Sequence, residues 1–355
     1  MNKKIGVILI NYKDYAERFL APCRDSLRAQ TYPRESTNIY IIDNASTVES
    51  FEYLQNIYPE AKIFARTDGN YAAANNLGFK EAAADACEYI VTANMDTEMT
   101  KEWLSELIRA LDDNPEAGIA QSKILLFPKN DEEKKYPKIN SLGNVIHYLG
   151  FGFTSGYGEA DKEIEGCPEI KGYASGASFI IRSSVLAKIG GYNEEYYMYH
   201  DDMEISLKAK LAGYKIILAP KSVIFHKYEF KRSTRMIYYM ERNRYLTLLT
   251  FYPLYLVILI AIPGVVMDIG MLFFSLINGW FKEELKIYGY FCHSKNYDKI
   301  VQEREKVRAF KTQSFSSIAK NFAGKIEFTE IANPILKYVV NPLLNIYWQI
   351  VKRII

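Results

Sequence analysis

Residues 5–12 read IGVILINY, an unbroken aliphatic run that stops at an asparagine and a tyrosine. A strand with one wet face alternates apolar and polar side chains, so a run without alternation fits a strand covered on both faces. The following residues show what supplies that cover. ERFLAPCRDSLRAQ (17–30) has helical spacing, NIYIIDN (38–44) is a second strand and VESFEYLQNIY (48–58) a second helix. The alternation continues through AKIFART (61–67, strand), YAAANNLGFKEAAADA (71–86, helix) and CEYIVTAN (87–94, strand). TKEWLSELIRALDDN (100–114) is again a helix and AGIAQSKIL (117–125) a strand. Strands separated by helices of this length predict βαβ units with right-handed crossovers, hence an α/β fold with a mostly parallel sheet flanked by helices.

Between 126 and 175 the pattern breaks. PKNDEEKKYPK (128–138) is a charged loop and YLGFGFTSGYGEAD (148–161) is glycine-rich. Those glycines do not fall as G-x-G-x-x-G and do not open a helix after a strand, which argues against a dinucleotide-binding turn. ASFIIRS (177–183) reads as a strand, and KIILAP (215–220) and SVIFHK (222–227) as two more. Between them YMYHDDMEISLKAKLAGY (197–214) holds a helix whose start carries Asp201, Asp202 and Glu204, with His200 just before. One acid near a helix N-terminus is explained by the dipole, worth roughly 0.3–1 kcal/mol. Three in four positions call for a charge partner or a proton to move.

Lysine plus arginine number 44 against 42 aspartate plus glutamate, so no global field calls for nucleic acid. Cys23, Cys87, Cys167 and Cys292 form no CxxC and suit a reducing cytoplasm without a zinc site. The opening MNKKIGVILINYKDY has an apolar run too short for a secretory signal and lacks a small-residue cleavage site. The mature chain is therefore expected to begin at Met1. The 28 tyrosines suit carbohydrate or membrane-interface contact without choosing between them.

After Arg244 the composition changes. YLTLLTFYPLYLVILIAIPGVVM (245–267) carries no charge and is long enough for a bilayer core, which takes roughly 20 apolar residues. Asp268 follows, and IGMLFFSLINGWF (269–281) is uncharged but too short to span upright. The chain thus divides into 1–244, a hydrophobic helical segment 245–281 and a basic tail 282–355. The tail closes with ILKYVVNPLLNIYWQIVKRII (335–355), which has the apolar body, Trp, Tyr and terminal basic residues of an interfacial helix.

Open α/β sheets bind ligands at the carboxyl ends of their strands. Here those ends read Asn11-Tyr12, Asp43-Asn44, Arg66-Thr67-Asp68 and Asn94-Met95-Asp96. Each set is also ordinary turn chemistry. Four on one edge say more than any one. Asn94 and Asp96, two apart at the end of an apolar strand, can turn an amide oxygen and a carboxylate to one side, which suits a hard cation carrying a diphosphate.

The ordered series VILINYK (7–13), IIDNAST (41–47), GNYAAANNLGF (69–79), NMDTEM (94–99), the long stretch 174–227 and YYMERNRY (238–245) resembles bacterial inverting glycosyltransferases of family 2, with the GT-A fold. The resemblance runs from about residue 4 to 250 and implies transfer of one sugar from a nucleotide sugar to an acceptor hydroxyl, assisted by Mg²⁺ or Mn²⁺. It implies that Asn11 and Tyr12 line the nucleobase pocket, that Asp43 hydrogen-bonds the base, and that Asn75, Asn76 and Asn94 contact the donor. Asp96 falls on the metal carboxylate and His226 on a histidine beside the diphosphate. Asp201-Asp202 stands where the family usually has Glu-Asp; Asp202 is expected to be the base and Asp201 its helper. Arg242 and Asn243 match the family's Arg-Asn and are expected to reach the diphosphate or the acceptor.

The sugar and base are not legible, and UDP- and dTDP-sugars, rhamnose among them, all remain candidates. A processive synthase would carry QxxRW, for which QIVKRI (349–354) is a poor match, and a non-catalytic membrane scaffold would not need the acids. The membrane-seeking tail favours a lipid-linked glycan as acceptor. Because the basic tail and the catalytic part must share the cytoplasmic side, residues 245–281 are expected to form a proline-bent, re-entrant or in-plane helical pair with Asp268 at its turn.

Overall fold

The aliphatic run at the start of the chain forms β1 (Ile5–Asn11), buried at every position. In this computed structural model, residues 2–228, 234–327 and 334–355 are described. The elements following β1 are α1 (Tyr15–Arg28), β2 (Thr37–Asn44), α2 (Val48–Ile57), β3 (Lys62–Arg66), α3 (Tyr71–Ala84), β4 (Tyr89–Ala93), β5 (Thr97–Met99), α4 (Trp103–Asp112) and β6 (Ala117–Leu126). Then come α5 (Asp131–Lys135), β7 (Ile139–Ser141), β8 (Asn144–Ile146), β9 (Gly152–Thr154), β10 (Ser178–Arg182), α6 (Ser183–Ile189), α7 (Asp201–Leu211) and β11 (Lys215–His226). The C-terminal part is helical: α8 (Thr234–Phe251), α9 (Leu254–Ile277), α10 (Phe281–Phe291), α11 (Ser294–Phe310), α12 (Phe315–Ala319) and α13 (Asn341–Ile354).

The main sheet runs β3-β2-β1-β4-β10-β6-β11-β5, with β7 beside β6. β1, β2, β3 and β4 are mutually parallel, as are β6 and β11, whereas β10 is antiparallel to both β4 and β6. The reversal has a simple cause. β6 ends at the carboxyl edge, the excursion through β7, β8 and β9 takes the place of a crossover helix, and the chain re-enters the sheet at that edge. KIILAP and SVIFHK are one strand, β11, whose register shifts between Ala219 and Val223. Pro220 cannot donate to a ladder and sits in that irregularity. The three-residue β5, to which the sequence reading assigns no element, pairs antiparallel with β11 and sets His226 opposite Thr97.

Apolar residues of α1, α2 and α4 cover one sheet face. Those of α3, α6 and α7 cover the other. This is why β1 shows no alternation. A third cluster joins the 146–151 segment to α8, α9, α12 and α13.

The boundary expected at 244/245 falls inside α8, whose Asn243 and Arg244 are buried. The helical break comes at Pro253, and α9 continues unbroken through Pro263 and Asp268. Asp268 is therefore not at a turn, contrary to the sequence-based expectation. Pro263 has no N–H for the Leu259 carbonyl four residues back, and the Tyr347 hydroxyl of α13 donates to that carbonyl instead. Asp268 is held in mid-helix by Arg244, whose Nη2 lies 2.9 Å from its Oδ1. One face of α9 (Leu256, Ile260, Pro263, Ser275) is buried, while Ile258, Ile262, Val266, Ile269 and Phe273 are exposed. By length and composition α9 could cross a membrane.

Candidate active site

At the carboxyl edge, Asn11 ends β1 and Asp43 nears the end of β2. Parallel register sets these two residues opposite each other. Asn11 Nδ2 donates to Asp43 Oδ1 at 2.7 Å, and its Oδ1 accepts from the Ala16 amide at 2.8 Å. The Ser50 hydroxyl donates to Asp43 Oδ2 at 2.6 Å. Both side chains are buried and fixed as a pair. Tyr12 is half-buried beside them. Next to it Gly69 has φ +68°, and a Cβ there would stand 2.8 Å from Tyr197 Oη and 3.1 Å from Tyr12 Cε2. Only glycine leaves room for both side chains against the backbone at this turn.

Where β4 ends, Asn94 and Asp96 are joined by His226 from the end of β11. His226 Nε2 lies 3.3 Å from Asp96 Oδ1. That contact is not a hydrogen bond: Asp96 Oδ1 is a buried oxygen without a donor. His226 Nδ1 is 2.9 Å from Asn140 Oδ1, so with the amide in this orientation Nδ1 carries the proton and Nε2 keeps its lone pair. Two acceptors thus face each other, as adjacent ligands of one cation do. Burial pushes the Asp96 carboxyl up, and the Tyr15 hydroxyl, which donates to it, opposes that push. Among the described residues no third His, Cys, Asp or Glu joins them. Any further ligands must come from amide oxygens, water or the donor.

The acid pair opens α7. Asp202 Oδ2 accepts from the Gly176 amide at 3.2 Å, and Oδ1 from the Met203 amide at 2.8 Å. Gly176 is there because β10, running backwards, places Ser178 opposite Ala93 at the end of β4. Burial pushes both acids up, and the Asp202 charge pushes Asp201 further, well above the carboxylate range. Asp202 is raised only to about 6 because backbone amides hold its charged form. Asp202 retains some solvent contact whereas Asp201 is buried, which favours the same order. Both shifts have the same direction, and the two amides favour the negative charge on Asp202 over Asp201. The Tyr71 hydroxyl is 3.4 Å from Asn94 Oδ1, and its phenol is raised by burial and by the nearby acids Asp201, Asp202 and Asp96. Glu204 takes no part; it is buried against Lys208, which also binds Glu303 of α11 at 2.9 Å.

Four expected donor contacts are placed differently. Asn75 is buried inside α3 and donates to the Tyr71 carbonyl at 3.0 Å. Asn76 binds the 192–194 turn, accepting from the Tyr192 amide at 2.8 Å and donating to the Tyr192 carbonyl at 2.9 Å. Arg242 and Asn243 bind the loop before the acid pair, at the carbonyls of Glu195, Tyr196, Met198 and Tyr199. The donors of Asn243 and the Nε and Nη2 of Arg242 are thus engaged by oxygens of the protein itself. Tyr15, Tyr71, Asn140 and Gly176 were missed. Tyr71 lay within a quoted stretch, whereas Asn140 lay in the irregular region, where no pattern marked it.

The sheet order and the polar strand ends gathered at its carboxyl edge are those of the GT-A fold of glycosyltransferases. The chain belongs to glycosyl transferase family 2, which residues 6–190 match. It is 24% identical over 250 residues to the N-acetylglucosaminyl-diphospho-decaprenol L-rhamnosyltransferase of Mycobacterium tuberculosis, covering 64% of this chain and 76% of that protein. It is 25% identical over 229 residues to the O-antigen biosynthesis protein RfbC of Myxococcus xanthus, covering 62% of this chain and 17% of that one. Among solved structures, GalNAc-T7 with UDP, GalNAc and Mn²⁺ superposes with TM-score 0.53 at 15% identity, over 71% of this chain and 49% of that one. Staphylococcus aureus TarS gives TM-score 0.50 at 14% identity, over 99% of this chain and 55% of that one. The chain spans about half the length of these two solved proteins, and the likeness to them concerns the fold.

Proposed function

We propose that the protein is a metal-dependent inverting glycosyltransferase. It moves one sugar from a UDP- or dTDP-sugar, dTDP-rhamnose being the leading candidate, to a hydroxyl of a lipid-linked glycan in cell-surface polysaccharide synthesis. The observation that carries this reading is the acid pair at the start of α7, in which Asp202 is held by the amides of Gly176 and Met203 beside buried Asp201. The rhamnose and lipid-diphosphate assignments are supported by the name of the mycobacterial relative.

Asn11, Asp43 and Tyr12 would hold the base at the ends of β1 and β2. Asp96 and His226 would hold Mg²⁺ or Mn²⁺, which disperses charge on the departing diphosphate. Asp202 would take the acceptor proton while the acceptor oxygen bonds to the anomeric carbon. The bond from that carbon to the diphosphate breaks, and its electron pair leaves with the phosphate oxygen. A base does this from hydrogen-bond range, roughly 2.6–3.2 Å.

The same reading places the protein on the cytoplasmic face of the membrane. The exposed stripe of α9 and the exposed Leu343, Ile346, Ile350 and Ile354 of α13 supply an apolar surface. Between 282 and 355, thirteen lysines and arginines stand against seven acids, which suits anionic lipid. Buried contacts spread from Leu256 to Ser275 favour α9 lying along the domain rather than projecting from it. The test is a donor screen with purified protein and Mg²⁺ or Mn²⁺, reading nucleoside diphosphate release. Release from a UDP- or dTDP-sugar supports the proposal; no release from either series, with or without a polyprenyl-diphosphate acceptor, refutes it.

A further inference from the structure

The backbone immediately before the acid pair is strained. Tyr197, Tyr199 and His200 have φ of 63°, 65° and 61°, left-handed values that residues other than glycine rarely adopt. Strain of this kind persists only where the surroundings over-determine the conformation. Here α8 provides the constraint. Asn243 is buried, and its Nδ2 lies 2.8 Å from the carbonyls of Tyr196, Met198 and Tyr199, so two protons are shared among three acceptors. The amide cannot turn round, because its Oδ1 accepts from Arg242 Nη2 at 2.7 Å and Nε at 3.1 Å, and a guanidinium only donates. Arg242 itself is packed against the rings of Tyr239 and Tyr290, at 4.9 and 5.1 Å. The Tyr197 carbonyl, which neither residue reaches, accepts from the Tyr71 and Ala72 amides at 2.8 and 3.2 Å.

We propose that Asn243, oriented by Arg242, is a positioning residue for the reaction. By gathering the carbonyls of 196, 198 and 199 it holds three unfavourable dihedrals, and those dihedrals deliver Asp201 and Asp202 to the start of α7. This rests on the acid pair being the catalytic pair, as proposed above. Asn243 touches neither donor nor acceptor; it acts through the loop. The anchored Tyr197 carbonyl extends the hold to α3, whose first residue, Tyr71, has its hydroxyl 3.4 Å from Asn94 Oδ1.

The test uses the full chain. Asn243→Ala removes the donors, and Tyr199→Gly in that background removes strain, since glycine adopts left-handed φ freely. Hydrogen exchange of residues 195–203 should rise at least tenfold in Asn243→Ala while that of β1 and β4 stays unchanged. Affinity for UDP and dTDP with Mn²⁺ should remain within about twofold. Nucleoside diphosphate release from dTDP-rhamnose, UDP-glucose or UDP-N-acetylglucosamine should fall roughly 10–100-fold, with the acid limb of its pH profile displaced. The double variant should recover at least fivefold of the lost rate. Unchanged exchange in 195–203, exchange raised throughout the protein, or no recovery with glycine would overturn the proposal. Asp201→Asn and Asp202→Asn belong in the same assay. If both keep full turnover, the catalytic assignment fails. If they lose it while Asn243→Ala does not, only the positioning role fails.

Discussion

Asp96 Oδ1 and His226 Nε2 face each other at 3.3 Å, both as acceptors with the ring neutral, because Asn140 Oδ1 accepts the proton on Nδ1. Two strand ends meet to make this contact: β4 delivers Asp96, and the pairing of β11 with β5 delivers His226.

Removing one acceptor should abolish the cation's hold. Asp96→Ala is expected to lower the affinity for UDP or dTDP at least tenfold in the presence of Mn²⁺ and to leave metal-free affinity unchanged. Titration calorimetry with and without Mn²⁺ reads both. Equal metal enhancement in wild type and variant would mean that the cation is held elsewhere.

The acid pair makes stability fall as pH rises. Asp201 and Asp202 are raised above their unfolded value near 3.8, so the folded state binds protons more tightly. The resulting stabilisation is fully present below that value and is lost as pH climbs through about 6, where Asp202 ionises. Asp201→Asn, neutral throughout, should therefore melt roughly 2–4 °C above wild type at pH 8, and the gap should close toward pH 4. Thermal scans across that range check the sign. Turnover should run the opposite way, rising about tenfold per pH unit below about 6 and levelling above it.

Much of this was legible from local pattern. IGVILINY gave a strand buried on both faces, and the alternation after it gave the layers and the binding edge. The crowded acids at 201–204 marked the site. Pairwise geometry was harder to read. Asp201 and Asp202 look alike in sequence, and only the amides of Gly176 and Met203 separate them. Arg242 and Asn243 are expected at the ligand because they match the family's Arg-Asn, yet their partners are carbonyls some 45 residues earlier. Pro263 and Asp268 suggested a bend, because nothing local reveals the Tyr347 hydroxyl or Arg244 that lets the helix continue.

The membrane surface makes its own prediction. Ile262 and Ile346 lie on the exposed stripes of α9 and α13. Burying such a side chain contributes about 1.5–3 kcal/mol. Ile262→Glu and Ile346→Glu should each cut binding to phosphatidylglycerol vesicles at least tenfold, by co-sedimentation, without changing nucleotide affinity. A single cysteine at Ile277, the exposed end of α9, distinguishes lying from crossing. In intact cells it should resist an impermeant thiol reagent; labelling from outside would mean that α9 spans.

The most direct measurement is turnover of Asp202→Asn. The amide preserves size and can still meet one backbone donor, but it cannot accept the acceptor's proton. Nucleoside diphosphate release in the presence of acceptor should fall about 10²–10⁴-fold, while UDP or dTDP affinity with Mn²⁺ remains within twofold. Asp201→Asn, which mimics the protonated state already held there, should lose far less. Near-normal turnover in Asp202→Asn together with loss in Asp201→Asn would contradict the assignment of the base.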